Sequence, residues 1–190
     1  VTLGPLTNLA LALRLDPELP SRIGRLVVMG GAVTGQGNTS IPAEFNIADV
    51  CCRRWANESS RIALHCEDDQ GRSFSYTYAA LQADANRLSN ALRALGVQRG
   101  DRVAIVLPQR PETAVAHIAI YQLGAVAMPL SLLFGPDALE YRLQDSSAVA
   151  AIVDATALPA LESIHHRCPD LKSLIVVDEV TSAARDWSTL

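Results

Sequence analysis

Between Tyr78 and Leu95 the apolar residues Tyr78, Leu81, Ala85, Leu88, Leu92 and Leu95 recur at intervals of three and four. That spacing lays a single stripe along a helix, and Gly96 stands where a C-terminal stop belongs. The pattern then shortens into continuous apolar runs: Arg102 to Leu107, Ala125 to Leu130, Val149 to Val153 and Ser173 to Val177. Helical segments separate them. Pro111, Glu112 and Thr113 open one that ends at Gly124, with a proline and an acid in the first turn as a helix start prefers. Pro136-Asp137 opens another through about Asp145, and Pro159 to Arg167 forms a third. Residues 78–177 therefore read α-β-α-β-α-β-α-β. Alternation of this kind needs crossover connections and a parallel sheet. Strands apolar on both faces fit a sheet covered on both sides.

Upstream, Asp49 is placed to cap a short helix through Trp55, and Arg61 to Glu67 with Arg72 to Tyr76 predicts a hairpin around Asp69-Gln70-Gly71. The front of the chain differs. Leu6 to Leu15 is apolar and helix-prone, and Asp16-Pro17 stops it. Arg25 to Met29 reads as a short strand running into Gly30-Gly31, then a loop with Gly35, Gly37, Asn38 and Pro42. These elements are too few to close a core. The expected organisation is 1–47, 48–180 and a loose tail at 181–190. Val1 at the first position hints at a truncated coding region.

The chain has 190 residues, 49% hydrophobic and 19% charged, with 11 glycines and 10 prolines. Those proportions fit a globular protein and exclude disordered and collagen-like classes. A chain of this size buries roughly 70% of its unfolded surface. The net charge of −4 gives no basic patch for nucleic acid or anionic lipid, and 5% aromatic residues supply no stacking platform. Thr113 to Pro136 is 24 residues without a charge, long enough to span a bilayer. Gly124, Pro129 and Gly135 interrupt it, and a buried helix followed by a buried strand accounts for it better. The four cysteines, Cys51, Cys52, Cys66 and Cys168, form no C-x-x-C. They read as free thiols in a reducing cytoplasm. His65, Cys66, His165, His166 and Cys168 are the candidates for a zinc site, but their spacing fits no standard knuckle.

Two resemblances emerge from the motifs. Phe45-Asn-Ile-Ala-Asp-Val-Cys51, Tyr76-Thr-Tyr-Ala-Ala-Leu81, Leu92-Arg-Ala-Leu-Gly96 and Gly100-Asp-Arg-Val-Ala-Ile-Val-Leu-Pro-Gln109 come first. Arg110-Pro-Glu-Thr113, Ala116 to Tyr121, Leu123 to Leu130 and Leu133 to Leu143 continue the series. Together, from about Phe45 to Val180, they resemble the N-terminal portion of an AMP-forming acyl-CoA synthetase of the acetate and medium-chain branch. The resemblance implies a piece of an α/β large domain. It also implies ATP, Mg²⁺ and CoA for the complete enzyme, which adenylates a carboxylic acid and passes the acyl group to CoA. Leu3 to Ala12, Val27-Val-Met-Gly-Gly-Ala32 and Gly37-Asn38 through Ala43-Glu-Phe-Asn-Ile47 resemble instead an inosine/uridine-preferring nucleoside hydrolase, a calcium enzyme. That resemblance makes Met29, Asn38, Glu44 and Asn46 the candidate ribose-binding residues. The two patterns share Phe45-Asn46-Ile47, so the chain reads as a fusion at a common short sequence.

The charged machinery of both families is missing from this sequence. Adenylation needs a Gly/Ser/Thr-rich loop ending in Lys, acids for Mg²⁺ and ribose, and a late Lys. Here Lys172 is the single lysine and reads as a surface residue. The hydrolase's aspartate cluster is absent, and the one Asp-Asp pair, Asp68-Asp69, falls in the predicted hairpin turn, not among the oxygens that calcium requires. Gly30 to Gly37 completes neither phosphate-loop pattern, and no G-x-S-x-G elbow occurs. His117 reads as a packed core histidine, Glu112 and Thr113 as residues of a helix start. The expectation is therefore synthetase framework with no catalytic residue, metal or cofactor of its own. A hydrolase remnant and a non-catalytic interaction module are the alternatives. Expected partners are at most a small-molecule substrate, with neither nucleic acid nor membrane, and self-association through uncovered apolar surface.

Overall fold

The computed structural model describes residues 46–67 and 70–178, together with the backbone of Arg185–Asp186. Met29, Asn38, Glu44, the predicted elements of residues 1–45 and the Asp68-Asp69 pair lie outside the described residues.

The chain enters through α1 (Ile47–Cys51) and a single 3₁₀ turn, Arg53–Trp55. A hairpin follows, β1 (Ile62–Glu67) antiparallel to β2 (Ser73–Thr77), with a register shift between Ile62 and Leu64. Then come α2 (Tyr78–Ala94), β3 (Arg102–Val106), α3 (Pro111–Gln122) and β4 (Val126–Pro129). The remainder is α4 (Pro136–Ser146), β5 (Ala150–Val153), α5 (Leu158–His165), β6 (Ser173–Val176) and β7 (Arg185–Asp186). The larger sheet has the order β4-β3-β5-β6-β7, parallel throughout.

Alternation along these strands assigns each residue to one of two cores. Val103, Ile105, Ala150, Ile152 and Ile175 pack with α1, α2 and α3 on one face. Ala104, Val106, Ala151, Val153 and Val176 pack with α4 and α5 on the other. The stripe read from the sequence of α2 is the one that is buried: Leu81, Ala85, Leu88 and Leu92 are at most 4% exposed.

The helix stops share one chemistry. At the end of α2 the N–H of Val97 donates to Leu92 O and that of Gly96 to Arg93 O, with Gly96 at φ +89°. The end of α3 repeats the arrangement, with Ala125 donating to Ile120 O, Gly124 to Tyr121 O, and Gly124 at φ +69°. These paired bonds satisfy the last carbonyls, and glycine takes the left-handed position at no steric cost. At the end of α4 the same pair forms, Ala148 to Leu143 O and Ser147 to Gln144 O, but the left-handed residue is Ser147 at φ 49°.

Two expectations are corrected. Asp49 is not the cap of α1; it lies in the first turn, and Asn46 caps the helix by accepting from Ala48 N at 2.9 Å. The tail at 181–190 is not wholly loose, because Arg185–Asp186 pairs with Ile175–Val176. Without β7, β6 would present the unpaired backbone groups of a sheet edge. The opposite edge is β4. Val126 N and Leu130 N donate toward β3, so the period of two turns Pro129 outward, where a missing N–H costs no ladder bond.

Candidate functional site

In the order β4-β3-β5-β6 the connections leave β3 and β5 in opposite directions. The crevice at the carboxyl ends of β3 and β5 is thus the topological switch point, where open parallel sheets bind ligands. Three loops meet there. The β3–α3 loop brings Pro108 and Arg110, and the first turn of α3 brings Glu112 and Thr113; the end of β5 brings Asp154 and Ala155; the end of β6 brings Asp178.

Charge is closed within this group. Arg110 Nε donates to Glu112 Oε2 at 2.7 Å and Nη1 donates to Asp178 Oδ1 at 2.8 Å. The second oxygen of Asp178 accepts from Ala155 N at 3.0 Å. Burial works against the Asp178 carboxylate, but the Ala155 N–H and the Arg110 guanidinium outweigh it and hold the group below its ordinary range. Burial likewise opposes the Arg110 charge, and its bonds to Glu112 and Asp178 win, raising it. Asp154 is 6% exposed and accepts from Ala157 N at 2.8 Å, starting α5. Thr113 donates to Pro108 O at 2.6 Å, so Thr113 and Glu112 serve the start of α3.

The crevice therefore locks three loops together with its own side chains. It does not fit a magnesium nucleotide: each carboxylate here already has a donor, and the one arginine is neutralised twice. Among the described residues no three His, Cys, Asp or Glu side chains gather as a metal site.

The remaining sequence candidates are dispersed. His65 and Cys66 lie on β1. His165 ends α5, where its Nε2 meets Leu171 O at 2.8 Å, and Cys168 is buried beyond it. The structure does not bring these two groups together as a metal site. His117 is half-buried, with Nδ1 3.1 Å from the Tyr121 hydroxyl, and burial lowers its basicity. Asn46 spends both ends of its amide: Oδ1 caps α1 and Nδ2 donates to Tyr121 O at 2.8 Å. Lys172 is exposed, beside a shallow cleft of about 200 Å³ at the amino ends of the strands, lined also by Asp101, Val97 and Val149. Sequence reasoning missed Arg110, Asp154 and Asp178. Only their positions just after apolar strands could have pointed to them.

The comparisons with known proteins agree with this architecture. The family model of AMP-binding enzymes matches residues 52–189, and that of the inosine-uridine preferring nucleoside hydrolases matches residues 1–49. The chain is 42% identical over 110 residues to the acetyl-coenzyme A synthetase of Streptomyces coelicolor, covering 57% of this chain and 17% of that protein. It is 35% identical over 159 residues to the acetyl-coenzyme A synthetase of Alkalilimnicola ehrlichii, covering 76% of this chain and 24% of the relative. Among solved structures it is similar to the anthranilate CoA ligase AuaEII in complex with anthranoyl-AMP, with TM-score 0.67, 27% identity, and coverage of 78% of this chain and 28% of that one. The acetoacetyl-CoA synthetase of Streptomyces lividans gives TM-score 0.70 and 26% identity, covering 76% and 24%. The chain thus spans 17% to 28% of the length of these four proteins. On sequence and fold together, the chain belongs to the AMP-binding enzyme family.

Proposed function

We propose that this chain is a framework portion of an AMP-forming acyl-CoA synthetase and carries no adenylation activity alone. The observation that supports this reading is the carboxyl edge of the sheet, where Arg110 is held between Glu112 and Asp178. A synthetase site must present free positive charge to phosphate oxygens and free carboxylate to Mg²⁺. The described residues offer neither at this edge, and Lys172 sits at the other end of the strands. In the complete enzyme these residues would hold the loops of one wall rigid, while ATP, Mg²⁺, CoA and the carboxylic acid engage groups elsewhere.

The test is direct. Purified chain is incubated with ATP, Mg²⁺, CoA and acetate or a medium-chain acid, and products are read by mass spectrometry. The expected result is neither acyl-AMP nor acyl-CoA above a protein-free blank. Formation of either product sinks the reading.

The match of residues 1–49 to the hydrolase model favours a second reading, a nucleoside hydrolase remnant. Met29, Asn38, Glu44 and Asn46 would be its ribose contacts, Asn46 on giving up its bonds to Ala48 N and Tyr121 O. Ribose binding competed by inosine would support it, whereas nucleotide binding without ribose competition would favour the synthetase reading. The division at about residue 47 follows from the same proposal.

A further inference from the structure

The described residues form two sheets, and their open edges are treated differently. On the larger sheet, β4 is short and turns Pro129 outward, a device that blocks addition of another strand. The described residues show no such guard on the hairpin. Among the described residues β1 pairs with β2 alone. Its six residues contain neither proline nor lysine, and its one irregularity, the register shift between Ile62 and Leu64, falls at its start. The hairpin packs on the core beside α2 through Ala63 and Tyr76, and a wider sheet would stabilise it further.

We infer that two copies of this chain associate by antiparallel pairing of β1 with β1, about a two-fold axis near Leu64, forming a four-stranded sheet. Charge complementarity selects this arrangement. Arg61 immediately precedes β1 and Glu67 ends it. An antiparallel register centred near Leu64 sets Arg61 of one copy beside Glu67 of the other, and symmetry repeats the contact. Pairing β2 with β2 would set Arg72 beside Thr77 and Tyr78, which offer no acid.

Arg61 is suited to the role. Trp55 holds its guanidinium, 4.0 Å from the ring centre, at the mouth of the strand. Its existing partner Glu58, 3.0 Å away, is 60% exposed, and exposed pairs of that kind contribute little. Apolar surface points the same way. Cross-strand partners Leu64↔Tyr76 and Cys66↔Phe74 make one face of the hairpin apolar. Phe74 is 47% exposed. A second hairpin extends that face past Leu64 and Cys66 instead of leaving it to end in water.

The experiment is sedimentation velocity over a wide concentration range on the full chain and three variants, with circular dichroism confirming that each folds. The unmodified chain is expected to show a monomer–dimer equilibrium. Glu67→Arg and Arg61→Glu should each weaken it roughly tenfold or more, because each turns two attractive cross-strand contacts repulsive. The double reversal should restore it. Amide exchange of the unmodified chain supplies a readout free of variants: exchange of β1 amides should slow as concentration rises. A chain that is monomeric at every concentration, a dimer indifferent to both single reversals, a double reversal that fails to rescue, or β1 exchange independent of concentration overturns the inference.

Discussion

Arg102, the first residue of β3, donates from Nη2 to the carbonyl of Ser147 at 2.9 Å, across 45 positions of sequence. Its Nε reaches Ser146 O at 2.5 Å and its Nη1 reaches Gly100 O at 3.2 Å. One guanidinium thus closes the end of α4, where carbonyls lack helical partners, and ties that end to the sheet. Ser147 is also the single non-glycine residue with positive φ among the described residues. Strain and compensation meet at one point. Arg102→Leu leaves partly buried carbonyls unpaired and should cost about 1.5–3 kcal/mol, read by urea denaturation. Lysine, a point charge without the planar fork, should recover less than half.

Ser147→Gly should act in the opposite direction. The left-handed conformation is costly for an L-residue and free for glycine. After glycine's larger loss of chain entropy, the expected gain is about 0.5–1 kcal/mol. A higher melting temperature with unchanged secondary structure checks it.

Asn46→Ala removes the cap of α1 and the bond from Nδ2 to Tyr121 O. The expected loss is about 1–2 kcal/mol. Asn46→Asp keeps the acceptor for Ala48 N but has no N–H for Tyr121, so it should fall between alanine and the original residue. Equal stability of all three would show that neither bond contributes.

Burial holds the His117 imidazole below its ordinary value. The unfolded chain therefore takes up this proton first as pH falls. The stability contributed by the neutral ring is complete above the unfolded value of about 6.5. It is lost progressively as pH falls from there toward the folded value. His117→Gln should flatten that part of the stability–pH curve, measured by denaturant midpoints through the acid range.

The adjacent thiols should separate by reactivity. Cys51 is exposed and Cys52 is fully buried. Burial, reinforced by the neighbouring Cys51, pushes Cys52 up to about 11. Iodoacetamide at mildly alkaline pH should modify Cys51 rapidly and Cys52 only on unfolding, as peptide mass spectrometry would show. The unfolded thiol ionises first as pH rises, so stability from Cys52 is full below about 8.5 and is lost upward through about 11.

What the sequence made legible follows from locality. The stripe Leu81–Ala85–Leu88–Leu92, the stop at Gly96 and the start at Pro111 are properties of neighbouring residues, and they place α2 and the start of α3 to within a residue. The tie from Arg102 to Ser147, the clamp of Arg110 on Asp178 and the bond from Asn46 to Tyr121 join residues 45 to 75 positions apart. No periodicity announces such pairs. β7 escaped for a related reason: Arg185-Asp186 has no strand character of its own and pairs only because β6 offers an edge. The family resemblance was carried by framework motifs, so it foresaw the fold and left the crevice at the carboxyl ends of β3 and β5 undescribed.

Strands β3, β5 and β6 serve two cores at once, successive residues facing opposite layers. A one-residue slip of β5 would therefore exchange the surroundings of Ala150, Ala151, Ile152 and Val153 in a single step, corrupting both layers. The connections can absorb a change of length that these strands cannot, so the central strands act as a reading frame that any splice of this polypeptide must respect.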